Sequence, residues 1–273
     1  MSIIEKALDR FDNPKPEGVI DHPTLAQQRI QIDTERFCGL DDGPVGGVLP
    51  YLADEYRRIK RPLLSNAFGK HGQRVKNGNL ILITSALPGE GKSFTTTNLA
   101  LSMATERDRT VLLVDCDVTK SRVTRLAGLG SRKGFVDLLL DESLDVSEVL
   151  VKTNFPRLNI IPSGGAHPHI NELFASEHMG RILEEIASRY SNRIILFDAP
   201  PLLVTPETQI LCDHMGQVVM VVAMGVTPKH IVNQALSMVS SENRPTGLVL
   251  NKASRLSGTY GYGAGAYGYG ADT

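Results

Sequence analysis

The chain has 273 residues, 41% of them hydrophobic and 22% charged, which suits a soluble globular protein of one sizeable domain with appendages. Lys and Arg number 29 against 30 Asp and Glu, and a net charge of −1 argues against a generally basic nucleic-acid binder. Cys38, Cys116 and Cys212 form no CxxC pair, the N-terminal MSIIEKALDRFDNPKPEG has no long apolar core, and no apolar run approaches the roughly 20 residues of a membrane span; a zinc ribbon, a redox dithiol, a secretory signal and a self-anchored protein are excluded, and a reducing cytosol is expected.

Residues 1–48 are rich in Pro, Gly and Asp with little apolar period, which predicts a weakly ordered arm with one short helix at Ser2 to Phe11. From about residue 49 to Phe68 the pattern turns helical. Leu52, Tyr56, Ile59 and Leu63 make the apolar stripe, and Arg57, Arg58, Lys60 and Arg61 supply the polar remainder. Pro62 falls inside and is expected to kink the helix. Strands are predicted at Asn79 to Ser85, Thr110 to Asp115, Leu158 to Pro162, Arg193 to Asp198, Gln217 to Ala223 and Thr246 to Asn251. Helices are predicted from Lys92 to about Glu106 and from Glu177 to Tyr190. Most strands are continuous apolar runs, so both faces should be buried; the fold expected is α/β, P-loop NTPase-like, a doubly wound and mostly parallel sheet with helices on both faces. The last 17 residues, SGTYGYGAGAYGYGADT, hold six glycines and four tyrosines and predict a mobile tail. The expected organisation is an arm at 1–48, a P-loop domain at 49–256 and a tyrosine-rich tail at 257–273.

The segment Ala86-Leu-Pro-Gly-Glu-Gly-Lys92-Ser93 follows a strand and opens a helix, the context that a phosphate loop requires. Gly89 and Gly91 permit the turns that aim successive N–H groups inward, and the helix start adds its positive dipole end. Lys92 would neutralise the β- and γ-phosphates and Ser93 would ligate Mg²⁺. The full pattern opens on Gly, whereas this chain has Ala86. LLVDCD places Asp115 and Asp117 on one side at the end of the second strand, and RIILFDAPP ends in Asp198, a Walker-B-like position. Carboxylates at the C-terminal ends of parallel strands face the nucleotide crevice and suit Mg²⁺.

These residues resemble the bacterial tyrosine autokinases of polysaccharide export. SALPGEGKS, LLVDCD and IILFDAPP carry the resemblance, together with Glu55-x-x-Arg58-x-x-Arg61 ahead of the core and the tail's Tyr260, Tyr262, Tyr267 and Tyr269. The resemblance implies an ATP- and Mg²⁺-dependent tyrosine kinase. Pro88, Gly89, Glu90, Gly91, Lys92, Ser93, Phe94 and Asn251 would bind nucleotide, with Asn251 at the adenine. Ser93, Asp115 and Asp198 would hold Mg²⁺ and its waters, and Asp117 would act as base or orienter for a tyrosine hydroxyl. Glu55, Arg58 and Arg61 would dock on a neighbouring subunit to build a ring, in which each tail is phosphorylated in trans. It also implies a cytoplasmic protein at the inner face of the membrane, held by an activator of the chain-length-regulator type, served by a tyrosine phosphatase, and with no nucleic-acid partner. The family commonly has a basic residue two positions after the second Asp; here that position is Thr119, followed by Lys120. The alternative is a partitioning or cell-division ATPase, but its second lysine, five residues before the P-loop lysine, is Leu87 here.

Overall fold

The computed structural model describes residues 29–39, 50–69, 74–188, 192–241 and 244–253. In chain order the elements are α1 (Thr34–Phe37), α2 (Pro50–Phe68), β1 (Leu80–Ser85), α3 (Lys92–Ala104), β2 (Thr110–Asp115), α4 (Arg122–Leu126), α5 (Phe135–Leu140), α6 (Val146–Val149), β3 (Val151–Lys152), β4 (Leu158–Ile161), α7 (Ile170–Phe174), α8 (Glu177–Ser188), β5 (Arg193–Asp198), α9 (Glu207–His214), β6 (Gln217–Ala223), α10 (Lys229–Val239) and β7 (Thr246–Asn251). The helix expected at Ser2 to Phe11 and the four tail tyrosines lie outside the described residues.

The strands form one sheet in the order β3-β4-β2-β5-β1-β6-β7, parallel throughout except for β3 against β4. Strands β1, β5 and β6 are buried along their whole length, as continuous apolar runs require. Alternate residues feed two cores. Leu80 and Leu82 share one core with Phe135, Phe174 and Met220, whereas Ile81 and Ile83 join Tyr56, Leu63, Leu99 and Met103 from α2 and α3. Each such fully buried aliphatic side chain contributes about 1.5–3 kcal/mol of transfer free energy. All the parallel strands end at the same side of the molecule, so the loops after β1, β2, β5 and β6 gather there.

Two features differ from expectation. First, β7 is not buried on both faces. It lies at the sheet edge, and Leu248 and Leu250 are 54% and 59% exposed. An apolar run reads the same in a central and an edge strand; sheet order decides. Second, residues 29–39 belong to the folded body rather than to a weakly ordered arm. Ile30 pairs with Thr153 beside β3, Asp33 caps α1 by accepting from the Glu35 and Arg36 N–H groups, and Ile32, Phe37 and Cys38 are buried. These anchors are too few and too irregularly spaced to leave a period. As the apolar stripe predicts, α2 forms one helix with Pro62 inside it. Lys60 on this helix is buried, donating to the Ser102 carbonyl at 2.7 Å and pairing with Glu106. Gln217 at the start of β6 donates to the Leu63 carbonyl at 3.0 Å. Helix α2 is thereby clamped onto α3 and β6. Among the described residues no helix is long and apolar enough to cross a membrane.

Candidate active site

β1 delivers the chain into the loop 86–91, and α3 begins at Lys92. Gly89 and Gly91 hold left-handed φ values of 82° and 99°, which only glycine adopts cheaply. A Cβ on Gly91 would stand 2.0 Å from Asn251 Nδ2, so a side chain there would have to push the Asn251 amide aside. Gly91 is the N-cap of α3 and offers no side-chain acceptor, which leaves the first N–H groups of the helix to a ligand. Ala86 is fully buried and lies outside the left-handed region, so the local backbone does not require the missing first glycine.

Asp115 and Asp198 are register partners on adjacent strands. Lys92 Nζ stands 2.6 Å from Asp117 Oδ2 and 3.8 Å from Asp198 Oδ2. Ser93 Oγ donates to Asp198 Oδ2 at 2.7 Å, and Thr96 Oγ1 donates to Asp198 Oδ1 at 2.9 Å. The Asp115 carboxylate accepts from Thr124 N–H at 2.8 Å, from Thr124 Oγ1 at 2.7 Å and from Asp117 N–H at 3.2 Å. Asp115 thus ties down the loop that aims Asp117, with three of its roughly four lone-pair positions taken. Burial raises the Asp115 pKa to about 7, assisted by the neighbouring Asp198 charge and opposed by Thr124 and Lys92. Burial likewise raises Asp198, against the pull of Lys92 and Ser93. Burial works against the Lys92 ammonium, but Asp198 and Asp117 outweigh it and its pKa rises.

Lys92, Asp115, Asp117 and Asp198 are all buried, so one ammonium faces three carboxylates in a low-dielectric pocket. Such a site has room in its electrostatics for a divalent cation. The oxygen-only donor set of Ser93 and carboxylates fits Mg²⁺, which keeps waters and takes few protein ligands.

The remaining predicted residues divide. Pro88 and Gly89 form the exposed tip of the loop, and Phe94 is half-buried beside Gly39. Glu90 is buried and is bound to protein: it accepts from Leu87 N–H at 2.5 Å, Ala223 N–H at 3.4 Å and the Thr227 hydroxyl. Asn251 Nδ2 donates to the Glu90 carbonyl at 2.9 Å. These two residues brace the phosphate loop against the ends of β6 and β7. Lys120 donates its backbone N–H to Asp117 Oδ1 at 3.1 Å while its side chain is exposed. Glu55, Arg58 and Arg61 are exposed on α2, opposite the face that packs on α3. Thr96, Thr124 and Thr227 were not expected as site residues. The run KSFTTTN, three threonines in the first turns of a helix, was the available signal for Thr96.

A family model described as an AAA domain matches residues 78–240. The chain is 32% identical over 188 residues to the tyrosine-protein kinase CpsD of Streptococcus agalactiae serotype Ia, spanning 68% of this chain and 79% of that protein. It is 30% identical over 213 residues to the tyrosine-protein kinase YwqD of Bacillus subtilis, spanning 77% of this chain and 85% of the relative. Among solved structures, the VpsO kinase domain superposes with a TM-score of 0.59 at 26% identity, over 74% of this chain and 98% of that one.

Proposed function

The chain belongs to the bacterial protein-tyrosine kinases, and from that premise we propose that it transfers the γ-phosphoryl group of ATP to the tyrosines of its C-terminal cluster, in trans within a homo-oligomer, as a regulator of polysaccharide polymerisation and export. The observation that carries this reading is the convergence of Lys92, Ser93, Asp117 and Asp198 at the mouth of a glycine-built anion cradle.

The α3 N–H groups and the Gly89–Gly91 turn would receive the phosphates of ATP. Lys92 would leave Asp117 for the β- and γ-phosphates, an exchange of one anionic partner for another. That exchange frees the Asp117 carboxylate to accept a proton. A phenol has a pKa near 10 and is protonated at neutral pH. As the tyrosine oxygen bonds to the γ-phosphorus, the bond from phosphorus to the β–γ bridging oxygen breaks and ADP leaves. The phenolic proton passes to Asp117 or to solvent. Alignment matters more here than base strength, because the transition state is loose. Ser93 and Asp198 would hold Mg²⁺ and its waters, with Asp115 behind them. The bound ion would supply charge neutralisation at the phosphates.

Glu55, Arg58 and Arg61 would present the subunit contact, and their helix lies directly on α3. A membrane activator of the chain-length-regulator type, a cognate phosphatase and a position at the inner face of the membrane complete the reading. The purified chain incubated with Mg²⁺, labelled ATP and an activator fragment should incorporate phosphate, and Lys92→Met should abolish it. ATP turnover with no labelled protein would instead support a switch ATPase.

A further inference from the structure

The sheet treats its two edges differently. At β3, Ile30 N–H donates to the Lys152 carbonyl and Asn154 N–H donates to the Ile30 carbonyl, both at 2.9 Å. At β7 none of the described residues adds a strand on the outer side. The Pro245 and Asn251 carbonyls accept from Val218 and Met224 N–H groups of the β6 side. The alternation of a parallel ladder therefore turns the N–H and C=O groups of Thr246, Leu248 and Leu250 outward. Leu248 and Leu250 share one face and are more than half exposed. Open ladder groups beside apolar side chains are a template for another strand.

Three observations name the occupant. The chain turns as β7 ends, with Lys252 at a left-handed φ of 58°, a conformation that hairpin connections use. The sequence beyond has the period of a strand: in Tyr260-Gly-Tyr262 an extended backbone would put both rings on one face, and residues 252–273 contain no proline to interrupt a ladder. The root of this segment is fixed beside the phosphate loop, because Asn251 donates to the Glu90 carbonyl. Tyr260 lies nine residues beyond Asn251, and a random coil of that length would span roughly 15–18 Å r.m.s.. Length therefore does not keep the nearest tyrosines out of their own protomer's site. Direction would: a strand antiparallel to β7 runs away from the end of the sheet where Lys92 and Asp198 lie.

We propose that the segment around Tyr260 and Tyr262 adds to β7 of its own chain as an antiparallel strand, covering Leu248 and Leu250 and holding these tyrosines away from the catalytic cluster of the same protomer. Its glycines make the pairing weak and reversible. A phosphate on either tyrosine brings about −1.5 to −2 charges beside the leucines and favours release. The docking stands independently of the kinase reading; its effect on labelling rests on that reading.

Residue-resolved amide exchange on the full chain tests the docking. Gly261→Pro, together with Tyr260→Ser and Tyr262→Ser, should speed exchange at Thr246, Leu248 and Leu250 by about tenfold or more, leaving Gly247 and Val249 unchanged. Equal rates in parent and variant overturn the proposal. Protection that disappears on dilution overturns it too, because the strand then comes from a second copy. In the kinase assay, Leu248→Ser with Leu250→Ser should make labelling of Tyr260 and Tyr262 independent of protein concentration. Labelling that keeps its concentration dependence in this variant refutes the sequestering role. Absence of any tail label counts against the kinase reading alone, and exchange still decides the docking.

Discussion

Lys92 and Asp198 are the residues on which most of the site's geometry turns. Asp198 accepts from both Ser93 and Thr96 and lies 3.8 Å from Lys92. Asp198→Asn keeps the shape but replaces one acceptor by a donor and removes a charge, so phosphate incorporation should fall by a factor of about 10² or more, measured as initial rate with saturating Mg²⁺. Glu90 acts differently, through the backbone. Glu90→Ala removes the acceptor shared by Leu87, Ala223 and Thr227 and leaves buried donors unpaired, at about 1–3 kcal/mol. The expected result is a KM for ATP raised about tenfold with a smaller change in kcat, and recovery of most of the loss in Glu90→Gln. The phosphate loop was legible because its chemistry needs contiguous residues, and a glycine pattern between a strand and a helix is local. The brace was not legible: Glu90 meets Thr227 and Asn251 only because β6 and β7 lie beside β1 in the sheet.

Elements were legible where burial is complete. β1, β5 and β6 carry apolar runs because both faces meet helices, and their observed bounds agree with the runs to within a residue. β3, two residues long, could leave no period. The stretch 29–39 left no period for a related reason: Ile32, Phe37 and Cys38 are buried, but they are irregularly spaced anchors in a polar sequence. Phe37→Ala should therefore destabilise the domain by about 3–5 kcal/mol in urea or guanidinium unfolding. A loss within about 0.5 kcal/mol would mean that this stretch is dispensable to the fold. α2 has two faces with separate tasks. Its inner face is locked by Lys60 and by the bond from Gln217, whereas Glu55, Arg58 and Arg61 are exposed. Arg58→Glu with Arg61→Glu should leave the unfolding free energy within about 0.5 kcal/mol, yet shift light-scattering mass to the monomer. Unchanged mass would remove these residues from the subunit contact.

At the scale of the whole molecule, the C-terminal ends of the parallel strands gather the phosphate loop, the three carboxylates and the root of the tail. That arrangement follows from parallel topology, in which every crossover returns the chain to the same side and the strand ends converge. The sequence pattern was enough to predict the parallel sheet, but not which strand would stand at its open edge. On the proposed reading the acceptors are the chain's own tail tyrosines. That reading is tested most directly by mapping phosphate by mass spectrometry after incubation with ATP, Mg²⁺ and an activator fragment. Phosphate on Tyr260, Tyr262, Tyr267 or Tyr269, absent in Lys92→Met and restored when that variant is mixed with intact chain, is the predicted result. Phosphate confined to residues outside the tail, or ATP turnover with no phosphotyrosine, would contradict it.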